Sequence, residues 1–201
     1  VAIRVPVIDG SIRQPAQGGR AGLAWPEVLF VLSAFLLAAS LIIPAALELD
    51  ARRRSKMAYA EMRTLLESVR RYNLEYRVWP LPRLPDRGDA RFGFTDANAG
   101  VMRILLAQPG EGNTLGRANP SGIDFVALIG GTDAPVRLDD RGEVVDPWGN
   151  PYQIVLDANY DNVVTVPDSG YGSVPGAGVV VWSYGADGRA ETLDDLTSWR
   201  R

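Results

Sequence analysis

The chain has 201 residues, 46% of them hydrophobic and 22% charged, and a formal net charge of -3. That is enough for one domain with an appendage and too apolar for a wholly disordered chain. Cysteine and histidine are absent and Lys56 is the only lysine, so disulfides, Cys/His zinc sites and imidazole- or thiol-dependent nucleophiles are excluded, leaving carboxylate chemistry, oxygen-ligated metals or no catalysis.

The first predicted element is apolar. Val28 to Leu47 is a run of twenty residues without a charge. At about 1.5 Å per residue it matches the roughly 30 Å hydrocarbon core of a bilayer. Its Leu, Ala, Ile, Val and Phe content predicts a transmembrane helix. The apolar region of a secretory signal is shorter, usually about 7–15 residues. Glu27 stands immediately before the run, either as a functional carboxylate at the membrane edge or as a helix-start charge favoured by the macrodipole. Pro44 lies inside it and predicts a kink. Arginines on both sides (Arg4, Arg13 and Arg20 before, Arg52, Arg53 and Arg54 with Lys56 after) leave orientation open by charge counting.

Helical spacing continues past the run. Ala58, Met62, Leu65, Leu66, Val69, Tyr72 and Tyr76 form an apolar stripe, with Arg63, Glu67, Arg70, Arg71 and Glu75 on the other faces. Trp79-Pro80-Leu81-Pro82 ends the pattern. The spacing therefore predicts one helix over 23–76, amphipathic in its second half and packed there against a sheet.

Gly22-Leu23-Ala24-Trp25-Pro26-Glu27 and the apolar run after it resemble the processing site and N-terminal helix of type IV pilins and type II secretion pseudopilins. The resemblance implies a prepilin peptidase that cuts after Gly22. Leu23 becomes the new, methylated N-terminus, Glu27 stands fifth and Pro44 twenty-second, each where the family has its own glutamate and proline. Leu23 departs from the usual phenylalanine, and Trp25-Pro26 from small or aliphatic residues. Residues 1–22 are then a leader peptide.

Residues 77–201 are punctuated by glycine and proline as short strands and turns require. The pattern predicts a short helix within Thr95–Gln108 and strands at Asp124–Ile129, Tyr152–Leu156, Asn162–Val166 and Val179–Ser183. Asp157 to Asn162 forms a turn between two of them. The predicted fold is α+β: a long N-terminal helix covering a head of three or four antiparallel strands. Asp146-Pro147-Trp148-Gly149-Asn150-Pro151-Tyr152 resembles the segment that enters the sheet of the major pseudopilin, as a sharp turn burying the indole. Val181 to Gly188 and Asp194 to Trp199 resemble that family's final strand and loop.

Asp187, Glu191, Asp194 and Asp195 crowd into this C-terminal loop, with Arg189 as the one basic residue among them. Such a cluster is either a solvated acidic turn or a calcium site, since calcium takes about 6–8 oxygens at flexible geometry. The resemblance favours calcium, held by two aspartates seven residues apart together with main-chain carbonyls. Asp187 and Asp194 have that separation. Asp157, Asn159 and Asp161 mimic the opening of an EF-hand loop, but Asn162 replaces the required glycine, so a hairpin turn is expected there.

Residues 77–201 hold 17 acidic residues and 11 arginines, a balance of -6 that disfavours nucleic acid. Seven basic residues between Arg52 and Arg71 suit lipid headgroups or the acidic heads of neighbouring subunits. The resemblance implies a non-catalytic pseudopilin, single-pass in a bacterial inner membrane with its head in the periplasm. It would assemble with copies of itself and an inner-membrane platform into a filament that drives protein export. In that filament Glu27 would pair with the α-amino group of a neighbour's Leu23. A minor pilin of an adhesive or motility pilus is the alternative. A tethered carboxylate hydrolase using Asp139-Asp140 or Asp194-Asp195 is remote, because adjacent side chains on an extended chain point apart.

Overall fold

The computed structural model describes residues 25–130, 136–167 and 170–199. The chain divides into two compact units, Val1–Ala46 and Leu47–Arg201. Gly22, Leu23 and the leader lie outside the described residues.

Helix α1 is Trp25–Tyr76. Its described part in the first unit has Pro26 in the first turn, where a missing N–H is harmless, and Glu27 beside it, at the positive end of the helix dipole. The apolar side chains that follow are exposed, among them Phe30, Phe35, Leu37 and Leu41. The two hydroxyls in the run are satisfied locally: Ser33 Oγ donates to Phe30 O at 2.8 Å and Ser40 Oγ to Leu37 O at 2.7 Å. Pro44 sits within the helix without ending it. This helix is long and apolar enough to cross a membrane, a property that N-terminal signal sequences share.

In the second unit α1 is amphipathic as predicted. Ala58, Met62, Leu65, Val69 and Tyr72 are buried, and Leu66 and Tyr76 are partly buried against the same core. Each fully buried large apolar side chain contributes about 1.5–3 kcal/mol relative to exposure. The helix stops when Arg77 turns left-handed (φ 61°) and its N–H reaches back to Asn73 O at 2.8 Å. This is a C-terminal turn normally given to glycine, and Pro80 and Pro82 follow it.

The head is a four-stranded antiparallel sheet in the order β1-β4-β7-β8, from β1 (Ala90–Phe92), β4 (Gln153–Leu156), β7 (Val179–Ser183) and β8 (Leu196–Thr197). Two ribbons accompany it, β2 (Arg137–Leu138) with β3 (Val144–Val145) and β5 (Val163–Thr165) with β6 (Ser173–Pro175). The central pair β4 and β7 aligns Ile154 with Val181 and Leu156 with Val179, and both strands are buried along their whole length. Alternation explains how. Ile154, Leu156, Val179 and Val181 face the core shared with α1, whereas Val155, Val180 and Trp182 face a second core with Val164, Val166 and Tyr171. The sheet is thus covered on both faces, where the sequence predicted a cover only from the helix.

Helix α2 is Ala99–Leu105, inside the predicted window. The expectation of a strand at Asp124–Ile129 is corrected: Phe125–Gly130 is a short helix, α3. Asp124 decides it. Its Oδ1 accepts the Ala127 N–H at 2.8 Å, an N-terminal cap that outweighs the β-propensity of Phe125 and Val126. The 146–150 turn forms, but its indole is only half-buried. The group buried there is Asp146, whose Oδ1 accepts the Trp148 and Asn150 N–H groups at 2.9 Å each while Oδ2 accepts from Ser183 Oγ at 2.5 Å.

Candidate functional site

The C-terminal loop begins where β7 ends at Ser183 and returns into β8 at Leu196. Gly185 (φ 65°) opens it, and a Cβ there would collide with the main chain and carboxylate of Asp194, so only glycine lets the two ends of the loop close. Asp194 Oδ2 accepts the Ala186 N–H at 2.6 Å and the Asp187 N–H at 3.1 Å. Asp195 Oδ2 accepts the Thr192 N–H at 2.9 Å and the Tyr171 hydroxyl.

Three of the four predicted acidic residues meet around one atom. Thr192 Oγ1 lies 2.7 Å from Asp194 Oδ1 and 3.4 Å from both Asp187 Oδ1 and Asp195 Oδ1, with Arg189 O at 3.2 Å. A hydroxyl carries one proton and can satisfy one of these acceptors. Asp187 Oδ1 also accepts the Arg189 N–H at 2.9 Å, and the remaining oxygens approach Thr192 Oγ1 as oxygen against oxygen, hard donors of the kind a hard cation takes. Among the described residues no group of three or more carboxylates stands at metal-ligand geometry, and the N–H bonds just given are what holds the carboxylates now. Partial burial raises the Asp194 carboxyl, but hydrogen bonds from Thr192 and from the backbone of Asp187 and Ala186 outweigh it and hold the group below its ordinary value. Glu191 turns away: its Oε1 accepts the Gly170 N–H at 2.6 Å.

The loop is mechanically tied to the second core. Tyr171, which donates to Asp195 and accepts the Glu191 N–H at 3.2 Å, packs its ring on Trp182 and Trp199 at centroid distances of 6.1 and 5.9 Å. Asp157, the first residue of the EF-hand-like stretch, accepts the Asp161 N–H at 3.1 Å and the Asn162 N–H at 2.9 Å, so the predicted turn forms, but it joins no hairpin: β4 pairs with β1 and β7, and β5 with β6.

One charged residue escaped the reading of the sequence. Glu61 of α1 is fully buried, its Oε2 accepting the Tyr152 hydroxyl at 2.6 Å and its Oε1 facing Arg137 Nε at 3.6 Å with no hydrogen bond among the described residues. Burial raises its carboxyl above the ordinary value. The Tyr152 hydrogen bond and the Arg137 charge work against the shift, and Asp146 adds to it. Its position, three residues after Ala58 on the edge of the apolar stripe, is the one local hint, and it does not by itself tell burial from exposure.

No family model, curated protein or solved structure matches this chain.

Proposed function

We propose that the protein is a membrane-anchored, non-catalytic pilin-like subunit of a type II secretion filament. It is processed by a prepilin peptidase and assembled at an inner-membrane platform, with its head in the periplasm. The observation that carries this reading is the composition of α1. One helix has its apolar residues exposed over its first part, begins with Glu27 in its first turn, and packs its second part on a small antiparallel sheet. An exposed apolar helix suits lipid before assembly and packed neighbouring helices after it, because both environments are equally dry. Glu27 would then meet the α-amino group of Leu23 of an adjacent copy, where a buried charge needs a partner.

Calcium is the proposed cofactor of the C-terminal loop. The oxygens of Asp187 and Asp194, with Asp195 beside them, would supply ligands together with main-chain carbonyls such as Arg189 O. Asp194 would keep the loop closed on Gly185, and the ion would supply the positive charge these oxygens lack.

Glu27→Gln tests the assembly role. It preserves size and helix, so processing and membrane insertion should survive, while filament yield and export fall at least about tenfold, the scale expected for losing a desolvated charge pair. Electron microscopy of sheared filaments and a count of exported cargo read this out. A variant that assembles like the wild type would reduce Glu27 to a helix-start charge.

A further inference from the structure

The two strands of the β2–β3 ribbon are held unequally. Strand β3 is built into the head: Val144 is buried, its N–H donates to Asn98 Oδ1 at 2.8 Å, and its carbonyl accepts the Tyr152 N–H at 3.0 Å. Strand β2 lies outside it. Both of its residues are exposed, and its ladder is two pairs long, Arg137 with Val145 and Leu138 with Val144. One end of β2 runs into a turn closed by Asp139, whose Oδ1 accepts the Arg141 and Glu143 N–H groups at 2.9 and 2.8 Å. At the other end, beside the partly buried Val136, β2 reaches α1 through one polar contact among the described residues, from Arg137 Nε to Glu61 Oε1 at 3.6 Å.

We propose that Glu61, Tyr152 and Arg137 form a proton-operated latch, which holds β2 on α1 while Glu61 is charged and frees it when Glu61 takes a proton. The polar groups around Glu61 serve both charge states. With Glu61 ionised, Tyr152 donates to Oε2 at 2.6 Å, and Arg137 is the one cation facing Oε1 among the described residues. A carboxylate buried this fully needs that charge, so Arg137 stays in and β2 stays down. With Oε2 protonated, Glu61 donates to the Tyr152 hydroxyl oxygen, and the Tyr152 proton turns to Ala58 O, 3.3 Å away. No charge is then left to hold Arg137, whose half-exposed guanidinium is better solvated by water. Strand β2 swings out about the Asp139 turn and leaves β3 with an unpaired edge. The proton enters from bulk water while Arg137 is out and returns there as β2 closes. The charge of Glu61 and the position of β2 therefore bias each other. Burial raises the carboxyl, which puts this exchange above the ordinary glutamate range. The titratable and charged groups that face Glu61 are Arg137 from β2, Tyr152 from the approach to β4 and Asp146 from the turn after β3. Asp146 opposes the charge on Glu61, and its own oxygens are held by Trp148, Asn150 and Ser183. Every part of the latch lies in the head unit, so it goes beyond the filament reading and does not depend on it.

Hydrogen–deuterium exchange of the full chain in detergent tests it, read by mass spectrometry from about pH 7.5 to about pH 4.5 and corrected for the intrinsic effect of pH on exchange. In the wild type, protection of residues 136–145 should fall about two- to fivefold as pH drops, the scale of a half-exposed ion pair, while β4 and β7 keep theirs. Glu61→Gln is neutral at every pH, so its ribbon should stay at the acid level of the wild type with no slope. Arg137→Met removes the other charge at a half-exposed position, where the core does not depend on it, and should also lose the slope. Tryptophan emission checks that each variant is folded, and if the Gln variant fails that check the Met variant decides alone. A residue with a merely structural role would lower protection and leave the slope in place. A slope that survives in the folded variants would assign the pH response to Asp139, Glu143 or Asp146 and overturn the inference. Wild-type protection of 136–145 that is indifferent to pH would overturn it as well.

Discussion

Tyr152→Phe should lower the stability of the head by about 2–3 kcal/mol at a pH where Glu61 is ionised, although it removes one oxygen and opens no cavity. The lost group is the only hydrogen-bond donor to Glu61 among the described residues, and a hydrogen bond to a charged group is worth about 1.5–3 kcal/mol. The cost should shrink toward about 1 kcal/mol in a Glu61→Gln background, where a neutral amide takes the place of the carboxylate. Glu61→Gln also tests the pH dependence. Burial raises the carboxyl in the folded state, so the folded protein holds that proton more tightly than the unfolded chain. Its contribution to stability is therefore fully present below the unfolded value near pH 4.3 and is lost as pH rises through the folded value. Urea unfolding followed by tryptophan emission from about pH 4 to 8 should show the Gln variant gaining on wild type as pH rises. A wild type that gains on the variant instead would mean that the ion pair with Arg137 outweighs desolvation.

Calcium should raise the melting temperature of the full chain in detergent by several degrees relative to a chelator. Binding to the folded state alone stabilises by about 2.7 kcal/mol when the ion is a hundredfold above its dissociation constant. The expected effect rests on the crowding of oxygens of Asp187, Asp194, Asp195 and Arg189 around Thr192 Oγ1, where the Thr192 proton and the Arg189 N–H to Asp187 Oδ1 are the donors. A bound cation would relieve that crowding and fix β8 against β7. Asp195 reports the change through Tyr171 to Trp182 and Trp199, so tryptophan emission should shift with calcium. Asp187→Ala and Asp194→Ala should each abolish the difference. Asp157→Ala should leave it, since that carboxylate is occupied by its own turn. Identical melting with calcium and with chelator, in protein first loaded with the ion, would make the loop an acidic turn.

What was legible in the sequence follows from periodicity. Ala58, Met62, Leu65, Val69 and Tyr72 recur at helical spacing, and their burial against β4 and β7 needed no information from elsewhere in the chain. Strands β4 and β7 were legible for the same local reason, as β-branched runs bounded by turns. Glu61 was hidden because an acid at the stripe's edge reads as solvent-facing until a distant hydroxyl, 91 residues away at Tyr152, is known to meet it. At Asp124 two local signals competed, and the cap to Ala127 prevailed over the strand propensity of the residues after it. The second face of the sheet was hidden too, since Trp182 and Val180 find Tyr171 and Val164 only once the β5–β6 ribbon has folded across. In the acidic loop the cluster itself was visible. The role of Thr192 as its meeting point, and the turning of Glu191 toward Gly170, depend on how the loop closes on Gly185.

The central claim is that this chain is processed and assembled as a pilin-like subunit, and the position of its mature N-terminus tests it most directly. N-terminal sequencing and intact mass of protein extracted from membranes should find Leu23, methylated, as the first residue. Removal of residues 1–22, with three arginines and Asp9, should shift the formal charge from -3 to -5. A mature chain that begins after Ala45 or Ala46 would mean that the apolar run is an ordinary secretion signal, and would contradict the account.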